Sequence, residues 1–218
     1  MSDHQIRTTA PYLSDAEIEG RANKLLRQYE IQFSEIVAPP VPVEAIADLL
    51  LELNFDWDEI DDDTVLAFLR PATKTITMNA SKRDFFGQYF GTEQFTMAHE
   101  IGHWELHVTD GGFTQQLLLN GVNQVSSQEF ICRNNVRDRK EIQADIFASY
   151  LLMPTKLLLP AVQNAKISWP FLYDLCSQYH VSITALRKRL EKSGALYVTD
   201  DGKVYSSKAE ANGQMKLF

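Results

Sequence analysis

The stretch Phe95-Thr96-Met97-Ala98-His99-Glu100-Ile101-Gly102-His103 decides how the chain is read. On an α-helix, residues four apart lie about 40° apart around the axis and about 6 Å along it, so His99 and His103 present both imidazoles to one side. Zinc takes a neutral imidazole nitrogen at about 2 Å, and two histidines one turn apart reach a single ion without backbone strain. Glu100, next to the first of them, is placed to take a proton from water at such an ion. Three fixed letters of this kind would occur by chance in roughly 3% of chains of this length, so a second element must support the reading. A catalytic zinc also needs a third protein ligand and an open position for water or substrate.

Two residues are candidates for that ligand. His107 extends the series to HExxHxxxH, but it lies about 12 Å along the axis from His99, too far to share one ion on a straight helix, and reads as a residue supporting the ligands or the helix end. Glu141 opens Glu141-Ile142-Gln143-Ala144-Asp145, whose carboxylates are again one turn apart. Glu141 can bind metal while Asp145 orients a ligand histidine from behind. The spacing Asp138-x-x-Glu141 is also that of a capping box, which gives Glu141 a purely structural alternative. Gly102 and Ala144 are small enough to let their two helices approach closely.

Working outward, Thr92 can cap a helix through His107, and Asp138 one through Leu152, stopped by Met153-Pro154. Ser14 and Glu17 form a capping-box pattern ahead of a first helix to about Tyr29. After a Pro-rich linker, Ala38-Pro39-Pro40-Val41-Pro42, the spacing of Val43, Ile46, Ala47 and Leu50 predicts a second helix to about Leu53. Residues 64–70 (TVLAFLR) and 74–79 (KTITMN) read as two short strands around Pro71-Ala72, and the second of them is a candidate edge for pairing with an extended substrate. The acidic run Asp56 to Asp63 reads as a solvated loop. Past Pro160 come a helix pair, about 169–179 and 182–192, a hairpin around Asp200-Asp201-Gly202, and a polar tail. The two strands read as a small sheet and the remainder as mostly helical, ending in the helix pair.

At 218 residues and 44% hydrophobic content, the chain can bury a substantial core. Its formal charge of −8 opposes a main task of gripping DNA, because neutralising phosphates needs a basic surface. Cys132 and Cys176 form no CxxC pair, which argues against a disulfide framework or a Cys-ligated zinc. The first residues lack a basic start followed by an apolar stretch, and no apolar run reaches the roughly 18 residues needed to span a bilayer. The expectation is a cytoplasmic protein with no membrane partner.

With these segments in view, the chain resembles the ImmA/IrrE family of metallopeptidases, whose metal site is similar to that of the thermolysin-like zincins. The resemblance covers roughly residues 42–192 and implies an α+β fold, with a small sheet packed against the HExxH helix and a mostly helical remainder that ends in the helix pair. It is carried by Phe95 through His103 with His107 after it, by Glu141-Ile142-Gln143-Ala144-Asp145-Ile146-Phe147-Ala148 with Leu151-Leu152-Met153-Pro154, by Val41-Pro42-Val43, and by Val181-Ser182 through Arg189-Leu190. It implies His99 and His103 as ligands, Glu100 as general base and Glu141 as third ligand, for Zn2+ or another divalent ion such as Mn2+. It also implies a protein substrate, commonly a helix-turn-helix repressor whose cleavage derepresses stress-response or mobile-element genes. The family often has asparagine where this chain has Asp145. On this reading residues 1–165 form a zincin-like metallopeptidase domain, 166–195 a helix-turn-helix-like appendage, and 196–218 a hairpin and flexible tail.

Other readings compete. Leu172 to Leu190 has two helical halves, with Arg187, Lys188 and Arg189 on the second, as a DNA-binding regulator would. A metal-sensing protein without proteolysis would share every ligand with the enzyme. For the group that stabilises an oxyanion, His107, Tyr150, Tyr173 and His180 all qualify. Gln214-Met215-Lys216-Leu217-Phe218 resembles the short peptide with which bacterial proteins dock on the replication sliding clamp.

Overall fold

The computed structural model describes residues 12–108, 130–133, 138–163 and 165–213; the clamp-like tail Gln214–Phe218 lies outside them. Helix α1, Asp15–Phe33, starts at Ser14, where the predicted capping box forms: the Ser14 side chain accepts from the Glu17 N–H, and Glu17 Oε2 accepts the Ser14 N–H at 2.7 Å. Its buried face, Ile18, Ala22, Leu25, Leu26 and Tyr29, is an i, i+4, i+7, i+8 stripe of the kind a core-facing helix requires. Helix α2 is α-helical only over Val43–Ala45 and widens at once into a π-helical stretch, Ile46–Leu50.

Among the described residues four strands make the main sheet: β1 (Asn54–Asp58), β2 (Val65–Arg70), β3 (Thr75–Asn79) and β4 (Phe130–Arg133), in the order β1-β3-β2-β4. β2 and β3 are the two predicted strands. They pair antiparallel, with Phe68 opposite Thr77, and the turn between them places Lys74 in the left-handed region at φ 50°. β1 pairs with β3 in parallel and β4 with β2 antiparallel. This corrects the expectation that strand 74–79 offers an edge to substrate: both its sides are occupied, by β1 and β2, and the edges are β1 and β4. It also corrects the loop reading for the first part of the acidic run, since Asp56–Asp58 belongs to β1, while residues 59–63 lie in no helix or strand. Strand β1 lies on an edge with mostly exposed side chains, and its Phe55-Asp56-Trp57-Asp58 alternation is a short strand signal set at the start of an acidic run.

After the short helix α3, Arg83–Gln88, the site helix α4 spans Thr92–His103 and continues as a π-helical stretch, Trp104–Val108. Gly91, not Thr92, occupies its N-cap position, at φ 78°; a Cβ there would sit 2.6 Å from the Val181 Cα. The chain then forms α5 (Arg139–Leu152), α6 (Thr155–Val162), α7 (Trp169–Tyr179) and α8 (Ile183–Lys192), a two-stranded hairpin of β5 (Tyr197–Val198) with β6 (Val204–Tyr205), and a single turn, α9 (Lys208–Ala211). Helix α6, a segment the sequence reading leaves unassigned, carries Pro160 in its second half. The Asp138 side chain caps α5 by accepting from the N–H groups of Lys140 and Glu141.

One large hydrophobic cluster joins α1, α2, α4, α5, α7 and α8 to Leu69 of β2 and Ile76 of β3. A smaller one, Leu66, Ala67, Met78 and Phe86, is walled by Trp57. Among the described residues no single helix is long and apolar enough to cross a membrane.

Candidate metal centre

Helices α4 and α5 meet at their smallest residues. A Cβ added to Gly102 would stand 3.1 Å from both the Cα and the O of Ala144 and 3.2 Å from the Phe147 ring. This close approach brings Glu141, in the first turn of α5, to the imidazoles one turn apart on α4. Its Oε2 lies 3.2 Å from His99 Nε2 and its Oε1 3.2 Å from His103 Nε2. The two Nε2 atoms are 3.0 Å apart. Glu141 therefore faces the histidines while Asp138 caps the helix.

The outer nitrogens are tied as well. His99 Nδ1 is 2.9 Å from Asp145 Oδ1, one turn further along α5. His103 Nδ1 is 3.1 Å from His107 Nδ1, and His107 Nε2 is 3.0 Å from Gln143 Oε1. One proton arrangement satisfies all three contacts. His99 donates Nδ1–H to the carboxylate, His103 donates Nδ1–H to the lone pair of His107, and His107 donates Nε2–H to the amide oxygen. Both inner nitrogens then turn lone pairs toward the Glu141 carboxylate. Two imidazole nitrogens and a carboxylate so close need positive charge among them. Ligands arranged tetrahedrally 2.0–2.1 Å from zinc stand about 3.3–3.4 Å apart, and the 3.0–3.2 Å found here agrees within a few tenths of an ångström. The donor set fits a divalent cation.

Electrostatics divides the carboxylates. Burial pushes Glu141 up, but the adjoining His103 and His99 side chains outweigh it and hold the group at about 2, an anion at neutral pH. Glu100 is fully buried, and neither of its oxygens has a hydrogen-bond partner among the described residues. Burial raises it to about 8, Glu141 adds to the rise and His99 opposes it. Burial also lowers His103, and lowers His107 to about 4, which keeps both rings neutral. A neutral ring is what a metal ligand must be.

The residues expected from sequence meet here: His99, His103 and Glu141 form a group whose ligand atoms lie within 4.8 Å of one another. His107 stands outside that group and braces His103. Asp145 takes the position behind His99. Gln143 escaped the sequence reading, although its place between Glu141 and Asp145 and its burial to 3% exposure mark it as a polar residue with a task. The remaining oxyanion candidates pack elsewhere: Tyr150 under the Arg189 guanidinium, Tyr173 beside Trp169, and His180 against Phe90.

A pair of helix-borne imidazoles, a carboxylate from a second helix and an adjacent buried glutamic acid define a centre of the metallopeptidase type. The chain belongs to the Peptidase_M78 family, described as IrrE N-terminal-like domain, whose model matches residues 62–191, from just before β2 to near the end of α8 and so across both site helices. A comparison with curated proteins finds no match. Among solved structures, one described as a Mycobacterium tuberculosis transcriptional regulator is similar at 14% identity and a TM-score of 0.48 over 88% of this chain. The similarity spans 54% of that chain.

Proposed function

We propose that this protein is a zinc-dependent endopeptidase in which His99, His103 and Glu141 hold the cation and Glu100 is the general base. The observation that carries the reading is the convergence of three ligand atoms beside a buried carboxyl with no partner. A divalent cation held there would supply Lewis acidity, acidifying water and polarising a peptide carbonyl; zinc suits the ligand set and manganese is an alternative. Glu100 accepts the proton of the attacking water and passes it to the leaving amine, in hydrolysis without a covalent intermediate. A nearby cation favours the ionised form of Glu100, which its burial opposes, so the base becomes available where the reaction takes place. Asp145 and the His107–Gln143 pair keep both imidazoles in the ligand tautomer.

The substrate, following the family, is a protein, and the reading extends to a helix-turn-helix repressor whose loss derepresses stress-response or mobile-element genes. The DNA-binding alternative loses ground on α8: Arg187 is paired with Glu191 at 2.8 Å and Arg189 is 4% exposed, which leaves Lys188 of the three cations for phosphates. The test is Glu100→Gln in the full chain. It should keep its zinc and lose peptidase activity by a factor of about 10² to 10⁴. In cells, quantitative proteomics should show a helix-turn-helix repressor disappearing with the wild type and persisting with the variant. Equal loss with both would exclude Glu100 as the base, and loss with neither would favour a metal-binding regulator without proteolysis.

A further inference from the structure

Arg189, on α8, is 4% exposed, and its Nε has no hydrogen-bond partner among the described residues. A guanidinium stays charged at all accessible pH, and a buried donor of a charged group left unmatched is costly. The rest of the side chain is fixed. Its plane lies over the Tyr150 ring at 4.3 Å, and Nη2 donates to Thr155 Oγ1 at 2.6 Å, while that hydroxyl donates to Glu19.

Beside it opens a cavity of about 380 Å³ between α5 and α8, closed at one end by the start of α4. Lys188, Arg189 and Lys192 line it from α8, Asp145 and Ser149 from α5, and Phe95 from α4. Lys192 is paired with Asp15. Lys188 is exposed and makes no ion pair among the described residues. The carboxylate on the opposite wall, Asp145, is engaged by His99. The cavity thus joins an apolar wall to three cations facing one carboxylate, and among those cations Lys188 makes no ion pair with a described residue.

Its position relates it to the metal centre. Asp145 and Ser149 lie one and two turns along α5 from Glu141, which places the cavity about 6–12 Å along the helix from that ligand. An extended chain advances about 3.4 Å per residue, so this is a reach of about two to four residues. We propose that the cavity is a specificity subsite for an acidic side chain, aspartate or glutamate, of the polypeptide substrate, about two to four residues from the cleaved bond. This assignment rests on the peptidase reading above.

The test uses the full zinc-loaded chain on a proteome-derived peptide library, with cut sites read by mass spectrometry. Aspartate and glutamate should be enriched about fivefold at one position near the cut, and Lys188→Glu should abolish or invert the enrichment, with Lys188→Gln in between. No acidic preference, or one that survives Lys188→Glu, overturns the proposal. A second arm needs no cleavage and therefore separates this proposal from the peptidase reading. The Glu100→Gln protein is titrated by fluorescence anisotropy with a labelled hexapeptide carrying one central glutamate and with its glutamine twin. The glutamate peptide should bind about fivefold tighter, and Lys188→Glu should remove the difference. Equal binding overturns the subsite whatever the library shows. Inorganic phosphate protecting Lys188 from acetylation, where neither peptide does, would assign the cavity to a free anion and also overturn it.

Discussion

Asp145 and His107 grip the two imidazoles by their outer nitrogens, so each can be changed without touching an atom that would meet the metal. Asp145→Asn keeps an oxygen to accept the His99 N–H and loses only the negative charge that makes the ring a better donor. Asp145→Ala loses the acceptor too. Zinc affinity, measured by competition with a fluorescent chelator, should therefore fall about tenfold or less for asparagine and toward 100-fold for alanine. Equal affinities in all three proteins would show that Asp145 does not orient His99. Cys176 gives a second residue-scale expectation. Burial among the α7 side chains raises its thiol from 9.0 to about 11, so the thiolate is suppressed in the folded protein. Alkylation by iodoacetamide at pH 8, followed on the Cys176 peptide by mass spectrometry, should be far slower in the folded than in the denatured chain. Because the folded value lies above the unfolded one, this group's stabilising contribution is complete below pH 9 and declines as pH rises toward 11.

At the scale of elements, the contact between α4 and α5 sets the site. Gly102→Ala gains about 1 kcal/mol of helix propensity. It also pushes a methyl against Ala144 backbone atoms at 3.1 Å, and overpacking of this kind costs about 1–3 kcal/mol. Overpacking wins because backbone on the facing helix yields less readily than a side-chain tip. The variant should unfold at a lower temperature and also bind zinc more weakly, since separating the helices draws Glu141 away from both histidines. A fall in stability with unchanged zinc affinity would show that the helices part elsewhere. The same contrast explains what the sequence made legible. His99, His103, Glu141 and Asp145 could be placed because each pair repeats at one helical turn, and the Ser14 and Asp138 caps because the backbone N–H groups they accept from lie within three residues. β1 escaped because its Phe55-Asp56-Trp57-Asp58 alternation is short and opens an acidic run, and α6 because it is only 8 residues long with Pro160 inside it. The cationic cavity was not legible, since Arg189, Tyr150 and Phe95 meet only through tertiary packing.

For the whole molecule, the question is how far the fold depends on its metal. The main hydrophobic cluster joins α1, α2, α4, α5, α7 and α8, from Ile18 to Leu190, and none of the three ligand residues belongs to it. Small zinc domains that unfold without metal lack such a core. Here chelation should leave the far-ultraviolet circular dichroism unchanged and lower the unfolding temperature. With free zinc at about 100 times its dissociation constant, binding stabilises the folded state by about 2.7 kcal/mol. A chain of this size shifts by about 2–4 °C per kcal/mol, so the expected drop on adding a chelator is about 5–10 °C. Glu141→Gln should start near the lower temperature and respond little to either zinc or chelator, because it removes a ligand charge and not a packing contact. If chelation instead abolished helical structure, the cluster would not be self-sufficient. If it left the unfolding temperature of the wild type unmoved at saturating zinc, the three converging ligand atoms would not be holding a cation.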